Sequence, residues 1–187
     1  NQTLENGKYK YEYPIRTSDK LSLIPLEVVF RFGAPIGSSI LDRFPDMNAG
    51  TRFVEPMIEL YTKLEDRDRL LHLDEALKIS GLSIVDITQL IHRTQTIAIY
   101  LHDAFSEIGL ELWDGKLEWA IENDEFVLVD SIGPDELRLI DPVTELQLSK
   151  EYLRSYYRNT DWYRALNLEK KRGGDWKDRM KKSGRNP

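Results

Sequence analysis

The chain of 187 residues contains no cysteine, which excludes disulfides, thiolate metal sites, iron–sulfur clusters and cysteine nucleophiles. Its three histidines are scattered in the sequence and match no metal-binding motif. No apolar run approaches the roughly 20 residues that a membrane span needs. The N-terminal residues also lack the basic-then-apolar pattern of a secretory signal. We therefore expect a cytoplasmic protein with no membrane partner.

Positive and negative charges are unevenly distributed along the chain, and only the C-terminal residues have an excess of positive charge. The formal net charge is −6, yet residues 168–187 carry eight lysines and arginines against three acidic residues. The acidic body argues against nucleic acid as a partner, because a nucleic-acid site must neutralise phosphates. The short basic tail is interpreted as a solvated C-terminus. Apolar residues make up 41% of the chain, a composition typical of globular domains.

Strand and helix signals alternate along the chain. Apolar and β-branched residues predict a strand over 21–32, and the Gly33–Gly37 loop then leads to a helix N-cap at Ser38 or Ser39. The stretch 55–73 is charged and receives no element. Apolar residues at spacings of three, four and seven predict a helix from the Ser83 cap to Gly109.

Two further strands, 110–121 and 126–130, are expected to form a hairpin. A segment at 137–140 and a helix that begins near Ser149 complete the pattern. Strands and helices are mixed and the hairpin supplies an antiparallel component, so we expect an α+β fold.

The strand 110–121 carries the clearest candidate site. Because side chains alternate along a strand, one face carries Asp114, Lys116 and Glu118. The other face is expected to be a core face with Trp113, Leu117, Trp119 and Ile121. Asp130, at the end of the partner strand, approaches Glu118 across the predicted hairpin. Two carboxylates on rigid strands suit Mg²⁺ bound to a nucleotide. The alternative is a solvated outer face with cross-strand ion pairs.

A second candidate group is basic. Arg31 ends the first strand on the same side as Glu27, just before the glycine loop and Ser38. A guanidinium, a hydroxyl and backbone N–H groups together can bind a phosphate. Further cations follow at Arg138 and, four residues apart on one helix, at Lys150 and Arg154. Taken singly, each of these cations is better explained as a surface charge, and none of them is specific by itself.

Four segments, in order, resemble signatures of the SAICAR synthetase (phosphoribosylaminoimidazole-succinocarboxamide synthase) family. They are Ile24-Pro-Leu-Glu-Val-Val-Phe-Arg31 with Gly37-Ser38, Leu112-Trp-Asp-Gly-Lys-Leu-Glu118, the series Val129-Asp130, Pro134-Asp135, Arg138-Leu139 and Asp141, and Lys150 with Arg154. Four motifs in the family's order make the resemblance specific. One difference is Gly115, where the family carries a bulkier residue.

The resemblance implies an ATP-dependent ligase of de novo purine biosynthesis, with a fold distantly similar to protein kinases and ATP-grasp enzymes. Such a ligase joins the carboxylate of carboxyaminoimidazole ribotide (CAIR) to the amine of L-aspartate and releases ADP and phosphate. ATP and Mg²⁺ are the implied cofactors, and a homodimer is a possible state. A carboxylate is a poor acyl donor until it is phosphorylated, which explains the need for cations near the reacting groups.

The resemblance also assigns a role to each candidate residue. Glu118 and Asp130 are expected to hold Mg²⁺ on the ATP phosphates, and Asp114 and Lys116 to flank the same centre. The phosphoribosyl substrate is expected to contact Arg31, Ser38 and Arg138, with Glu27 near its imidazole end and Lys150 and Arg154 completing an anion-binding wall.

Residues 1–20 resemble the end of the family's N-terminal ATP-binding lobe, most of which has no counterpart in the sequence. On this interpretation 21–167 is the substrate- and metal-binding α+β domain, and 168–187 is the basic tail. Two alternatives to a competent ligase stay open. One is a part of the synthetase that has lost efficient ATP binding. The other is a noncatalytic relative that binds a phosphoribosyl nucleotide without turnover.

Overall fold

The computed structural model describes residues 2–5, 8–12, 21–65, 67–148, 150–172 and 175–184, and for a few of these, Arg154 among them, it describes the backbone alone. Within these ranges the strands are β1 (Gln2–Glu5), β2 (Lys8–Tyr11), β3 (Ser22–Ala34), β4 (Thr51–Thr62), β5 (Glu111–Glu122), β6 (Glu125–Leu128) and β7 (Leu137–Ile140). The helices are α1 (Ile40–Arg43), α2 (Leu73–Ser80), α3 (Ile84–Glu107), α4 (Lys150–Arg158), α5 (Asp161–Arg172) and α6 (Trp176–Lys182).

The main sheet has five strands, all paired antiparallel, and β1 and β2 form a separate hairpin. Its order is β4-β3-β5, and β5 then pairs with two short strands. β6 pairs with residues 119–122 of β5, and β7 pairs with residues 111–115. The last part of the sheet is therefore split, and the chain leaves the sheet between these two strands. The mixed helices and antiparallel strands confirm the α+β prediction.

The long strand β3 explains why one face of the sheet is core and the other is available for a site. Its side chains alternate, and the even-numbered ones from Ile24 to Phe32 are buried in the main apolar cluster. The same cluster includes residues of α2 and α3 such as Ala76, Ile87 and Leu90. The helices thus cover the even face, and Glu27, Val29 and Arg31 lie on the opposite face.

Helix α3 begins and ends as the sequence predicts. The Ser83 hydroxyl accepts a hydrogen bond from the Asp86 N–H at 3.2 Å, and the Asp86 carboxylate accepts one from the Ser83 N–H at 3.0 Å. This reciprocal pair is a capping box, which satisfies two backbone donors at the start of a helix. Gly109 follows the last turn with φ of 79°, the left-handed conformation that glycine adopts at helix ends.

The predicted β5–β6 hairpin is confirmed, with Asn123 and Asp124 at φ of 49° and 62°. Positive φ at both central residues is typical of the two-residue turns that match strand twist. Trp113, which was expected on the core face of β5, is buried but does not join the main apolar cluster. Leu112 pairs with Leu139 and Asp114 pairs with Arg138, so Trp113 is an extra residue in a bulge.

The bulge changes which side chain reaches the main core. Leu112 belongs to the main apolar cluster and Trp113 does not. The Trp113 ring instead contacts the Arg52 guanidinium, 4.4 Å from the ring centroid. The face of Asp114, Lys116 and Glu118 is kept, because the irregularity lies before Asp114.

Several elements lie where the sequence indicates none. β4 and α2 occupy much of the charged stretch 55–73 and its flanks, and α5 runs through the expected boundary between 167 and 168. α5 and α6 form a small apolar cluster of their own around Ala165, Leu166 and Met180. The part of the tail that the structure describes is therefore helical. Among the described residues, no helix has the length and apolar character needed to cross a membrane.

Candidate active site

The register of β3 and β5 brings the predicted residues of both strands together. Glu27 pairs with Glu118 and Arg31 pairs with Asp114, while Lys116 lies between the two acidic residues of β5. All five side chains point away from the face that α2 and α3 cover, because side chains of paired strands alternate in step. The two motifs that were separate in sequence therefore form one continuous polar row.

At one end of this row, Lys116 is surrounded by carboxylates. Its Nζ is 2.9 Å from Glu27 Oε1, 3.5 Å from Glu118 Oε1 and 3.6 Å from Glu136 Oε2. The Glu118 carboxylate also contacts the Lys63 ammonium at the end of β4. The site therefore has an acidic end in which two lysines neutralise several carboxylates.

Burial and neighbouring charges shift the pKa values at this acidic end. Burial disfavours the charged form of Lys116, but the hydrogen bond to Glu27 and the surrounding carboxylates outweigh it and raise the Lys116 pKa. Burial raises the pKa of Glu27, and Lys116 only partly offsets it. Asp68 also has a raised pKa, chiefly through partial desolvation of a side chain that is otherwise exposed. Lys116 is thus a permanent cation beside carboxyl groups that accept protons more readily than usual.

Arg31 occupies the other end of the row and is almost fully buried. A guanidinium has five N–H donors. Here Nε donates to Glu59 at 2.7 Å, Nη1 to Ser38 and Asp114 at 3.3 and 3.2 Å, and Nη2 to Ser39 and Tyr61 at 3.3 and 3.5 Å. The hydrogen-bonding capacity of Arg31 is therefore filled by the protein itself.

Arg138 of β7 has a different environment. Its Nη1 lies 3.4 Å from Asp114 Oδ2, close enough for an ion pair but not aligned as a hydrogen bond. Its Nε and Nη1 are buried and have no hydrogen-bond partner. A buried donor without a partner costs about 1–3 kcal/mol. Arg138 therefore keeps donors that an anionic ligand would satisfy.

An open cavity of about 680 Å³ lies over the polar row. Six of the predicted residues line it, namely Glu27, Arg31, Asp114, Lys116, Arg138 and Lys150. These six come from β3, β5, β7 and α4, and so from all four sequence motifs. The volume falls in the range of ordinary small-molecule sites.

A family model described as SAICAR synthetase matches residues 13–168. The chain belongs to the SAICAR synthetase family.

Two curated relatives of this family cover most of the chain. A putative phosphoribosylaminoimidazole-succinocarboxamide synthase of Archaeoglobus fulgidus is 35% identical over 93% of this chain and 55% of its own length. A phosphoribosylaminoimidazole-succinocarboxamide synthase of Thermoplasma acidophilum is 31% identical over 92% of this chain and 65% of its own length. The chain thus spans between about half and two thirds of these SAICAR synthetase relatives.

Solved structures of the family have the same fold. A SAICAR synthetase in complex with ADP superposes with a TM-score of 0.65 at 33% identity, over 72% of this chain and 57% of that one. A SAICAR synthetase from Pyrococcus horikoshii superposes with a TM-score of 0.66 at 32% identity, over 76% and 60%.

The structure does not bring every SAICAR synthetase motif residue to the cavity. Ser38 is buried beneath it, where its hydroxyl accepts the bond from Arg31 and its N–H donates to the Pro35 carbonyl. Ser39 lines the cavity in its place. Arg154 has its backbone in α4, and its side chain lies outside the described residues.

Asp130 follows Leu128, the last residue of β6, by two positions. It is exposed beyond the end of β6, and its Oδ1 accepts a hydrogen bond from the Ser131 N–H at 2.8 Å. Val129, not Asp130, lies opposite Glu118, since its N–H donates to the Glu118 carbonyl at 3.1 Å. Within the ranges that the structure describes, no three acidic or histidine side chains are arranged to hold a metal ion. The shared metal site of Glu118 and Asp130 stays a prediction.

Sequence reasoning missed the residues that β4 contributes. Glu59 is buried, and its carboxylate accepts hydrogen bonds from Arg31, from the Tyr61 hydroxyl at 3.1 Å and from Arg43. Burial opposes ionisation of Glu59, but the two arginines outweigh it and lower its pKa. Glu59 and Tyr61 are two residues apart, so they share a strand face. That alternation was the available signal.

Proposed function

We propose that this chain is the substrate-binding part of an ATP-dependent ligase of purine biosynthesis. The reaction joins the CAIR carboxylate to the amine of L-aspartate and yields SAICAR, ADP and phosphate. The observation that carries the proposal is the meeting of residues from four family motifs around one cavity. The match of the family model to residues 13–168 supports it.

The polar row supports a division of the substrate between its two ends. At the arginine end, Arg138 has unsatisfied donors and meets the phosphoribosyl group, on a scaffold built by Arg31 and Ser38. Lys150, whose Nζ lies 3.3 Å from Glu136, and Arg154, four residues later in α4, are proposed to complete the anion-binding wall. At the acidic end, Glu27 lies near the imidazole and Lys116 near the carboxylate that reacts.

The chemistry needs fixed positive charge where phosphoryl transfer gathers negative charge on the CAIR carboxylate. Lys116 meets that need, since its raised pKa keeps the ammonium protonated. Asp114 fixes Arg31 and Arg138 at the opposite end, where the phosphoribosyl group is proposed to bind. The attack of the aspartate amine then depends chiefly on positioning, which a rigid three-strand platform supplies.

ATP is the proposed phosphoryl donor, since a related SAICAR synthetase was solved in complex with ADP. The family resemblance implies a Mg²⁺ that accompanies ATP, with Glu118 and Asp130 as its ligands. The present donor set does not fit a resident cation, because Glu118 is ion-paired with Lys63 and Lys116 while Asp130 bonds to the Ser131 backbone.

An amide-formation assay with CAIR, L-aspartate and Mg-ATP tests the proposal. We expect SAICAR and ADP to form only when all three substrates are present. Lys116→Met should lower kcat by about 10²–10³, the loss typical of one electrostatic transition-state contact. Lys78→Met, which removes an exposed lysine of α2, is the matched control and should leave kcat unchanged.

One result would contradict the ligase, and another would contradict the role of Lys116. Binding of CAIR without turnover would favour the noncatalytic relative that uses the ribotide pocket for binding. Unchanged kcat in Lys116→Met would show that the Lys116 ammonium does not stabilise the reacting carboxylate.

A further inference from the structure

The saturated hydrogen bonding of Arg31 raises the question of which arginine at that end contacts a ligand. Arg31 has a side chain only 7% exposed, and all five of its donors already have protein acceptors. A ligand phosphate would have to displace one of these buried bonds. Arg31 is therefore better placed to organise the site than to bind the anion.

Arg43, the last residue of α1, lies beside Arg31 and has capacity left. It lines the cavity, and its side chain is 27% exposed. One nitrogen, Nη2, bonds to Glu59 Oε1, while Nε is buried without a hydrogen-bond partner. Arg43 is therefore held at one edge and retains an unsatisfied donor.

Glu59 connects the two arginines. Its Oε2 accepts from Arg31 Nε and from the Tyr61 hydroxyl, and its Oε1 accepts from Arg43 Nη2. The carboxylate is 7% exposed, so each of these charge-assisted bonds is formed in a largely dry environment. Both oxygens of one rigid carboxylate thus fix the relative positions of two guanidinium groups.

We propose that Arg43 is a further substrate-binding residue that contacts the phosphate of the ribotide, and that Glu59 is its positioning residue. This inference rests on the proposed function and adds a residue to the same site. Arg43 ends the short helix α1 that follows the Gly37-Ser38 loop, and Arg138 borders the same cavity. The planar forks of two arginines suit a phosphate better than the lysines at the opposite end do.

The test compares Arg43→Gln with Arg93→Gln in steady-state kinetics and in calorimetric titration of the full chain with CAIR. Arg93 is a matched control, since it also pairs with a carboxylate and an aromatic ring, but on α3. We expect Arg43→Gln to raise KM and Kd for CAIR about 10–100-fold, the loss of one or two charged hydrogen bonds. kcat and the KM values for ATP and aspartate should change little, because the contact lies far from the reacting carboxylate.

Two further variants separate positioning from folding. Arg43→Lys keeps the charge and should restore part of the CAIR affinity. Glu59→Gln should raise the same KM as Arg43→Gln, with the two effects not additive. If Glu59→Gln melts early, the Arg43 pair of variants still decides the question.

The outcomes distinguish this inference from the proposed function. A wild-type chain that neither binds nor converts CAIR overturns the proposed function, and this inference with it. A competent wild type with unchanged CAIR affinity in Arg43→Gln overturns the inference alone. A rise in KM for ATP or aspartate instead of CAIR would reject the phosphate as the group that Arg43 contacts.

Discussion

Asp114 is a single carboxylate shared by arginines of two strands. Its Oδ2 is 3.2 Å from Arg31 Nη1 and 3.4 Å from Arg138 Nη1, in a largely buried position. Removal of one partner of a buried ion pair costs about 3–5 kcal/mol. Glu59 still pairs with Arg31 after the change. We therefore expect Asp114→Asn to lower the free energy of unfolding by about 3 kcal/mol, at the lower end of that range.

Urea denaturation of Asp114→Asn and of Asp135→Asn measures this effect. Asp135 lines the same cavity but is exposed, so its amide variant should unfold within about 0.5 kcal/mol of the wild type. Equal stability of the two variants would show that the Asp114 ion pairs contribute little to folding.

At the scale of single elements, sequence reasoning predicted the helices and strands that have capping or turn residues at their own ends. β3, α3 and the β5–β6 hairpin each lie close to the predicted bounds. Ser83, Gly109 and the turn at Asn123 and Asp124 are signals that act within a few residues. The face shared by Asp114, Lys116 and Glu118 was also predictable, because alternation needs only the strand.

The elements that sequence reasoning missed depend on partners elsewhere in the chain. β4 carries Pro56 and the charged residues Arg52, Glu55 and Glu59, and it is a strand because β3 pairs with it along one edge. Its Glu59 is buried only because Arg31 and Arg43 neutralise it. The place of Asp130 depended on where β6 ends, and such ends are poorly marked in sequence.

Gly115 shows how a strand position can be fixed by its neighbours. A Cβ there would lie 2.5 Å from Phe30 Cζ and 2.6 Å from Leu137 Cδ2, in the core beneath the site. Overpacking of this kind typically costs about 1–3 kcal/mol. We expect Gly115→Ala to lower the free energy of unfolding by about that amount.

Gly133→Ala is the control for Gly115→Ala. Gly133 has nothing within 4 Å of its Cβ position, and its φ is not in the left-handed region. In chemical denaturation, the free energy of unfolding of Gly133→Ala should equal that of the wild type or slightly exceed it. A Gly115→Ala variant as stable as Gly133→Ala would mean that Phe30 and Leu137 move aside without cost.

For the whole molecule, the shifted carboxyl groups predict opposite contributions to the pH dependence of stability. The lowered pKa of Glu59 means that the unfolded chain binds more protons there, so its contribution is present above about pH 4.5 and is lost as pH falls further. The raised pKa of Glu27 reverses the sign, and its contribution is lost as pH rises above about 4.5.

Thermal melts of Glu59→Gln and Glu27→Gln from about pH 3.5 to 7 check these signs. The stability difference between wild type and Glu59→Gln should widen as pH rises from the acid end. The stability of Glu27→Gln relative to wild type should increase as pH rises over the same range. Parallel curves for the two variants would contradict the assigned directions.

The two apolar clusters divide the whole molecule into parts that should respond separately to mutation. Met180 is buried with Ala165 and Leu166, and this cluster shares no residue with the core beneath the sheet. α6 has seven residues, too few to be helical in water without packing. We expect Met180→Ala to remove the protection of α6 amides from hydrogen exchange while the main thermal transition stays within about 2 °C.

Lys177→Ala, an exposed change on the same helix, should keep that protection and serves as the control. CAIR affinity should be equal in both variants, because the match to the SAICAR synthetase family ends at residue 168, before α6 begins. Met180→Ala could instead lower the free energy of unfolding of the main transition by as much as a core substitution does, typically about 2–5 kcal/mol. That result would mean that α6 unfolds together with the sheet. The tail would in that case belong to the cooperative unit that carries the site.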